Sequence, residues 1–201
     1  MTSTETVSDV PSESRAARLV TDGFEPKNWI LAVTLLVGWH ADGAAGVGWG
    51  LFGALFAAVI PVLFIKHGIR RGTWADRHLG VRQQRLVVMV FIICSVTTGT
   101  LLMSLLGAPT AMVALITAMV STLAILMAIT FAWKISVHAA VASGSIAILA
   151  LDYGPWLLAA YSLVALIGWS RVALRDHTPA QVVAGAVLGS VVAGVTFGLL
   201  R

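Results

Sequence analysis

Residues 111–133 read AMVALITAMVSTLAILMAITFAW, an apolar run that contains no charged side chain. A helix of about 20 such residues crosses the hydrocarbon core of a bilayer. The whole chain has a matching composition, with 58% hydrophobic and 11% charged residues, whereas about a quarter of a soluble domain is charged. A soluble protein of 201 residues has too little interior to bury several runs of this length. We therefore predict an all-α, polytopic transmembrane helical bundle.

Six or seven spans are predicted when hydropathy is followed outward from this run. The predicted spans are residues 28–41, 47–65, 86–106, 111–133, 136–151, 155–172 and 178–200. The first span is short and ends at His40 and Asp42, so it is either a tilted crossing or a re-entrant hairpin. Glycine- and proline-containing turns separate several of the spans, as expected for short connections. The transmembrane domain is thus predicted to occupy residues 28–201.

The chain before the first span, residues 1–27, is predicted to be a flexible polar tail. It mixes Ser, Thr, Asp and Glu with a few basic residues and has no apolar core of its own, a composition that does not offset the entropy of ordering.

Cys94 is the only cysteine in the chain, which excludes an internal disulfide and a cysteine-cluster metal site. No carboxylate cluster suited to magnesium is visible either. We expect no metal, no cofactor and no nucleic-acid partner.

Basic residues are distributed unevenly between the two predicted faces of the membrane. Of the 13 Lys and Arg residues, only Arg201 falls on the face opposite the tail when seven crossings are assumed. The positive-inside rule then places the tail and the basic connections in the cytoplasm, and the protein in the cell (inner) membrane. Some of these cations, such as Lys66, Arg70 and Arg71, fit a role as topology determinants alone.

Three segments on the basic face contain residue types suited to phosphate chemistry. The first is Ser170-Arg171, followed after five residues by His177 and after three more by Gln181. The second is 134–138, KISVH, at the start of the fifth span, and the third is His78 followed after six residues by Arg85. A histidine near a membrane interface is often only an interfacial side chain, but its combination with arginine at these spacings favours a functional site.

These segments resemble the three signatures of the type 2 phosphatidic acid phosphatase (PAP2) superfamily. Ser170, Arg171 and His177 match SR-x5-H-x3-D, and Ser136 with His138 is similar to PSGH. His78 and Arg85 keep the spacing of K-x6-RP. The chain departs from the family at the Lys and Pro of the first signature, the Pro and Gly of the second, and the final Asp of the third, where it has Gln181.

The resemblance implies a PAP2-like core and a metal-independent mechanism. His177 would be the nucleophile that forms a phosphohistidine, and His138 would protonate the leaving oxygen and then activate water. Arg171 is the third catalytic residue that the resemblance implies. The implied phosphate contacts are Arg85, His78, Ser136, Lys134, Arg82 and Ser170, with Arg82 and Arg77 as alternatives to His78. Gln181 would accept the imidazole N–H in place of the family's Asp and so orient His177. For Lys134 an interfacial anchor is an equal alternative.

The predicted substrate is a lipid phosphate, because all three segments lie where apolar spans begin or end, at the level of the lipid headgroups. Phosphatidyl and polyprenyl phosphates or diphosphates both fit this description, and the bilayer itself is the expected surrounding partner. Two other functions stay open. One is a transporter or flippase that binds lipid phosphate without cleaving it, and the other is a catalytically inactive PAP2-like scaffold.

Overall fold

The computed structural model describes residues 12–72 and 82–201, and within these ranges the chain is helical, with no β-strand. The helices are α1 Ser12–Gly23, α2 Pro26–Ala54, α3 Ile60–Arg70, α4 Arg82–Leu105, α5 Thr110–Thr130, α6 Val137–Tyr153, α7 Tyr161–Ala173 and α8 Pro179–Leu200. A π-helical turn, Leu55–Val59, joins α2 to α3, and a 3-10 turn, Pro155–Ala160, precedes α7. The predicted all-α fold is confirmed.

Among the described residues, five helical segments are long and apolar enough to cross a membrane. They are Arg15–Arg70, Gln83–Leu105, Thr110–Thr130, Pro155–Ala173 and Pro179–Leu200. Helix α6 is apolar as well but shorter, with 17 residues. The helices lie where the apolar runs predicted them, and they are those of a protein embedded in a membrane.

Helix α2 contains a break at Asp42 and Gly43, where the chain reverses direction. Gly43 has a φ of 52°, a left-handed conformation that glycine adopts without steric cost. The two arms then pack closely, since a Cβ on Gly38 would lie 2.2 Å from the carbonyl oxygen of Gly46. Those residues would be about 12 Å apart in a continuous helix. The first two predicted spans therefore form an antiparallel helical hairpin.

Helix α1 corrects the prediction that residues up to about Lys27 lack regular structure. Ala17 is fully buried and Thr21 nearly so, and the Thr21 hydroxyl lies 3.0 Å from that of Ser170 in α7. Two small buried residues four positions apart give this helix one inward face, although the segment is polar overall. Its stability comes from packing on α7, which hydropathy does not detect.

The central packing of the bundle is between α6 and α8, whose backbones approach through small residues. A Cβ on Gly185 would lie 2.5 Å from the Ser136 carbonyl oxygen, and one on Gly189 would lie 2.0 Å from that of Ala140. Gly185 and Gly189 are four residues apart and share one face of α8, the spacing that permits close helix contact in membranes. This contact sets the start of α6 beside the start of α8.

We expect Gly189→Ala to lower the thermal unfolding midpoint of the purified protein, because the added methyl group forces α6 and α8 apart. Overpacking of this kind costs about 1–3 kcal/mol. Gly194→Ala is the matched control, since a Cβ there meets only the Ala147 methyl group at 3.6 Å. Equal midpoints for the two variants, measured by thermal denaturation in the same detergent, would contradict this description of the interface.

The bundle has two polar ends, separated by the length of α6, which is about 25 Å for its 17 residues. At the "His40 end", His40 Nδ1 lies 3.0 Å from Asp152 Oδ2 and Arg201 Nη1 lies 3.9 Å from Asp152 Oδ1. Arg201 was predicted on the face opposite the tail, whereas the contact between His40 and Asp152 was not predicted. The other end, the "Arg171 end", contains Arg171 and the start of α6.

Candidate functional site

The spacing between Arg171 and His177 is set by the way in which α7 ends. The Asp176 N–H donates to the Arg171 carbonyl oxygen at 3.1 Å, and the Arg175 N–H donates to Val172 at 2.9 Å. This is the Schellman pattern, which requires a left-handed residue, and Arg175 takes that position with a φ of 57°. The His177 N–H also donates to the Arg171 carbonyl at 3.2 Å. The five intervening residues thus fold His177 back beside Arg171.

Arg171 is a buried cation that pairs with the carboxylate of Asp176. Its side chain is 4% exposed, and Nη2 lies 2.9 Å from Asp176 Oδ2. Within the described ranges, its buried Nε and Nη1 atoms have no hydrogen-bond partner. A buried donor without a partner costs about 1–3 kcal/mol, more for a charged group. The guanidinium therefore presents two donors that an anionic ligand would satisfy.

His177 is partly buried and lies in the connection between α7 and α8. Burial lowers the pKa of its imidazole to about 4, and the charges of Arg171, Lys134 and Arg85 act in the same direction. A hydrogen bond with the Ile135 backbone opposes them. At neutral pH the ring is consequently uncharged, with a lone pair on one of its nitrogens. Nδ1 is buried and has no hydrogen-bond partner among residues 12–72 and 82–201.

Two further cations lie within electrostatic range of His177, namely Lys134 and Arg85. Lys134 precedes α6, and its pKa is lowered by burial first and then by Arg85 and Arg171, while Asp176 raises it. Arg85 is half-buried in the first turn of α4. The structure thus brings together Arg85, Lys134, Arg171 and His177 from three separate predicted segments.

Ser136 and His138 lie at the start of α6. Ser136 is fully buried and is the N-cap residue, with its hydroxyl oxygen accepting from the Ala139 N–H at 3.4 Å. Its own N–H donates to the Gln181 carbonyl at 3.2 Å. His138 follows in the first turn and is partly buried. The hydroxyl of Ser136 caps a helix, so its predicted phosphate contact stays a prediction.

Two predicted roles are not those seen in the structure. Gln181 Oε1 accepts from the Thr178 N–H at 3.1 Å, and Thr178 Oγ1 accepts from the Gln181 N–H, which forms a capping box at the start of α8. The side chain therefore serves the helix terminus and does not orient His177. Ser170 is fully buried, donates to the Ile167 carbonyl at 2.7 Å and contacts Thr21. It attaches α1 to α7 and has no donor left for a phosphate.

The remaining residues of the predicted site lie partly or wholly outside the residues that the structure describes. His78, with Arg77 and Asp76, lies outside the described residues. The backbone of Arg82 begins α4, while its side chain is not described. Of the residues assigned to the first signature, Arg85 is therefore the one that the described part of the structure places near His177.

Gln181→Leu is expected to lower the thermal unfolding midpoint and to leave the rate of any His177-dependent reaction within about twofold. Loss of the capping box costs about 1 kcal/mol. Gln181→Glu is the matched variant, since its carboxylate also accepts the Thr178 N–H and should preserve the midpoint. A strong loss of rate in the Leu variant, with an unchanged midpoint, would restore the orienting role that the sequence predicted.

Sequence reasoning missed two contributors, Asp176 and the backbone of Ile135. Asp176 adjoins His177 in the sequence, but its pairing with Arg171 depends on the tight turn after α7. The Ile135 backbone supports the His177 ring regardless of the side chain at that position, so no residue-type signal marks it. In the sequence, Ile135 is marked only by differing from the second signature, which has proline at this position.

No group of three or more potential metal ligands occurs within the ranges that the structure describes. Comparisons of the chain with protein-family models, with curated proteins and with solved structures gave no match. The resemblance to the PAP2 superfamily consequently rests on the quoted sequence residues alone. Chemically, three cations, one paired carboxylate and a neutral imidazole form a site suited to an oxyanion.

Proposed function

We propose that the Arg171 end binds the phosphate group of a membrane lipid and hydrolyses it through His177 without a metal ion. One observation supports this above all others: a neutral, partly buried imidazole lies within electrostatic range of Arg85, Lys134 and Arg171, and Arg171 presents two buried donors beside its pair with Asp176. Like charges held together in a partly desolvated site repel one another. A phosphate relieves that repulsion and accepts from the buried Nε and Nη1 donors of Arg171.

In the proposed reaction, the imidazole lone pair of His177 attacks phosphorus and the bond to the lipid oxygen breaks. His138 gives a proton to that oxygen, so the lipid leaves as an alcohol, or as a monophosphate if the substrate is a diphosphate. His138 then takes a proton from water, the water oxygen attacks the phosphohistidine, and inorganic phosphate is released. Arg171, with Arg85 and Lys134, balances the charge that develops on the non-bridging oxygens.

A lipid is favoured as the substrate by an apolar cavity of about 140 Å³ that borders Val137 and Ala140, in the helical turn that also contains His138. It continues between the helices as far as Ile148 and Ala193, and its polar lining residues are Thr122 and Ser145. A hydrocarbon chain in this cavity would place its phosphate at the start of α6. The distribution of basic residues supports a cytoplasmic position for this end in a cell membrane.

The proposal is tested by measuring phosphate release from short-chain phosphatidic acid and from a polyprenyl diphosphate by purified protein in detergent. We expect turnover that persists in excess chelator, because the proposed chemistry uses only side chains. Activity that chelator abolishes and magnesium restores would contradict the mechanism. Binding of the lipid phosphate without any release of phosphate would instead favour a transporter or an inactive scaffold.

A further inference from the structure

A second feature at the membrane-facing surface is a groove of about 540 Å³ between α3 and α4. Its apolar lining consists of Ile60, Leu63, Phe64 and Phe91. Its polar lining consists of Lys66, His67 and Arg70, with no acidic residue among them. The groove is therefore apolar along one part and basic at one end.

The apolar part has a well-defined wall. The rings of Phe64 and Phe91 stack with centroids 3.8 Å apart, and Leu63 beside them is 58% exposed. Below this stack, the Ser95 hydroxyl donates to the Phe56 carbonyl at 2.7 Å, which ties α4 to the π-helical turn before α3. The wall is thus held by two elements, and in the described part of the chain more than half of the Leu63 side chain is exposed.

The basic part lies at one end of the helix pair, where α3 ends and α4 begins. Pairing of Phe56 with Ser95 and of Phe64 with Phe91 shows that α3 and α4 run antiparallel, so the end of α3 is level with the start of α4. Lys66, His67 and Arg70 are exposed there. From Ile60 to Arg70 the helix rises about 15 Å, roughly the thickness of one hydrocarbon leaflet.

We propose that this groove binds an anionic phospholipid of the surrounding bilayer, with one acyl chain against Leu63, Phe64 and Phe91 and its phosphate at Lys66 and Arg70. Charge at one end only, next to an exposed apolar wall, matches a phospholipid better than an amphipathic helix. Basic side chains at the membrane surface attract anionic lipids, with each cation adding to the binding.

This lipid is distinct from the proposed substrate. The cations that influence His177 are Arg171, Lys134 and Arg85, and neither Lys66 nor Arg70 is among them. The groove also shares no lining residue with the apolar cavity that borders Val137 and Ala140. Lipid binding in the groove therefore does not depend on the phosphatase proposal and can succeed or fail independently of it.

The test is native mass spectrometry of the detergent-purified protein with phosphatidylglycerol or phosphatidylcholine of identical acyl chains. We expect the first bound lipid to be phosphatidylglycerol with a preference of about tenfold. Lys66→Gln with Arg70→Gln should reduce this preference to about twofold or less. Arg15→Gln with Arg18→Gln is the matched control, since it removes two exposed cations from α1 and should retain the preference.

A further variant, Leu63→Trp, fills the apolar part of the groove and leaves its charges in place. It should weaken phosphatidylglycerol binding at least about threefold without altering the thermal midpoint in lipid-free detergent. The proposal is overturned if the Lys66/Arg70 variant keeps its preference, or if the control pair loses as much. It is also overturned if Leu63→Trp has no effect, because headgroup attraction would then operate without the groove.

Discussion

His177→Ala is expected to abolish phosphate release, with kcat reduced by about 10⁴-fold or more, the scale seen when a nucleophile is removed. The methyl group offers no lone pair, so the phosphoryl group has no acceptor on the protein. The fold should survive, because His177 lies in a connection between helices and its Nδ1 has no hydrogen-bond partner in the described part of the chain. Steady-state phosphate release and thermal denaturation together measure both effects.

His40→Gln is the matched control for this variant, since His40 lies at the opposite end of α6. It should retain turnover within a few-fold. If His177→Ala retained near-normal turnover, His177 would have no place in the reaction.

The His177→Ala protein also identifies the resonance of His177 in a histidine-labelled NMR titration. With its pKa lowered to about 4 by burial and by the neighbouring cations, the ring should stay neutral from pH 8 down to about 5. It should become protonated only as the pH falls through 4. An ordinary histidine titrates near 6.5. A midpoint at that higher value would show that the cations and the burial do not act on this ring.

The positions of the helices were predictable from the sequence, because a helix in hydrocarbon must satisfy its backbone within itself and so needs a continuous apolar run. A glycine-containing turn was predicted between the first two spans, and the structure has it at Asp42 and Gly43. Helix α1 was not predictable from hydropathy, since its stability depends on Ala17 and Thr21 packing against α7. That contact joins residues 149 positions apart.

For the site, the sequence identified Arg85, Lys134, Arg171 and His177, and the structure brings these four together. The sequence spacing of Arg171 and His177 predicted their proximity, because a local turn fixes their separation. Spacing failed for Ser170 and Gln181, whose hydroxyl and amide groups have nearby backbone acceptors and donors. Polar groups of this size commonly bond to the local backbone, so a matching motif letter does not establish contact with a ligand.

Arg171→Lys is expected to lower kcat/KM by about 10²- to 10³-fold, although the charge is retained. The guanidinium pairs with Asp176 through Nη2 and still presents Nε and Nη1, which a compact ammonium group cannot reproduce. Arg171→Gln should be poorer still, because Asp176 then lacks its cation and one charge that keeps His177 neutral is lost.

The control for this series is Arg175→Lys, four residues further along the same turn and exposed. It leaves the left-handed backbone position occupied by a similar side chain, so both the midpoint and kcat/KM should stay close to wild type. The comparison separates the shape of the cation from its charge. If Arg171→Lys matched Arg175→Lys in kcat/KM, a diffuse positive potential would suffice at this end, and the two buried donors of Arg171 would have no part in holding the phosphate.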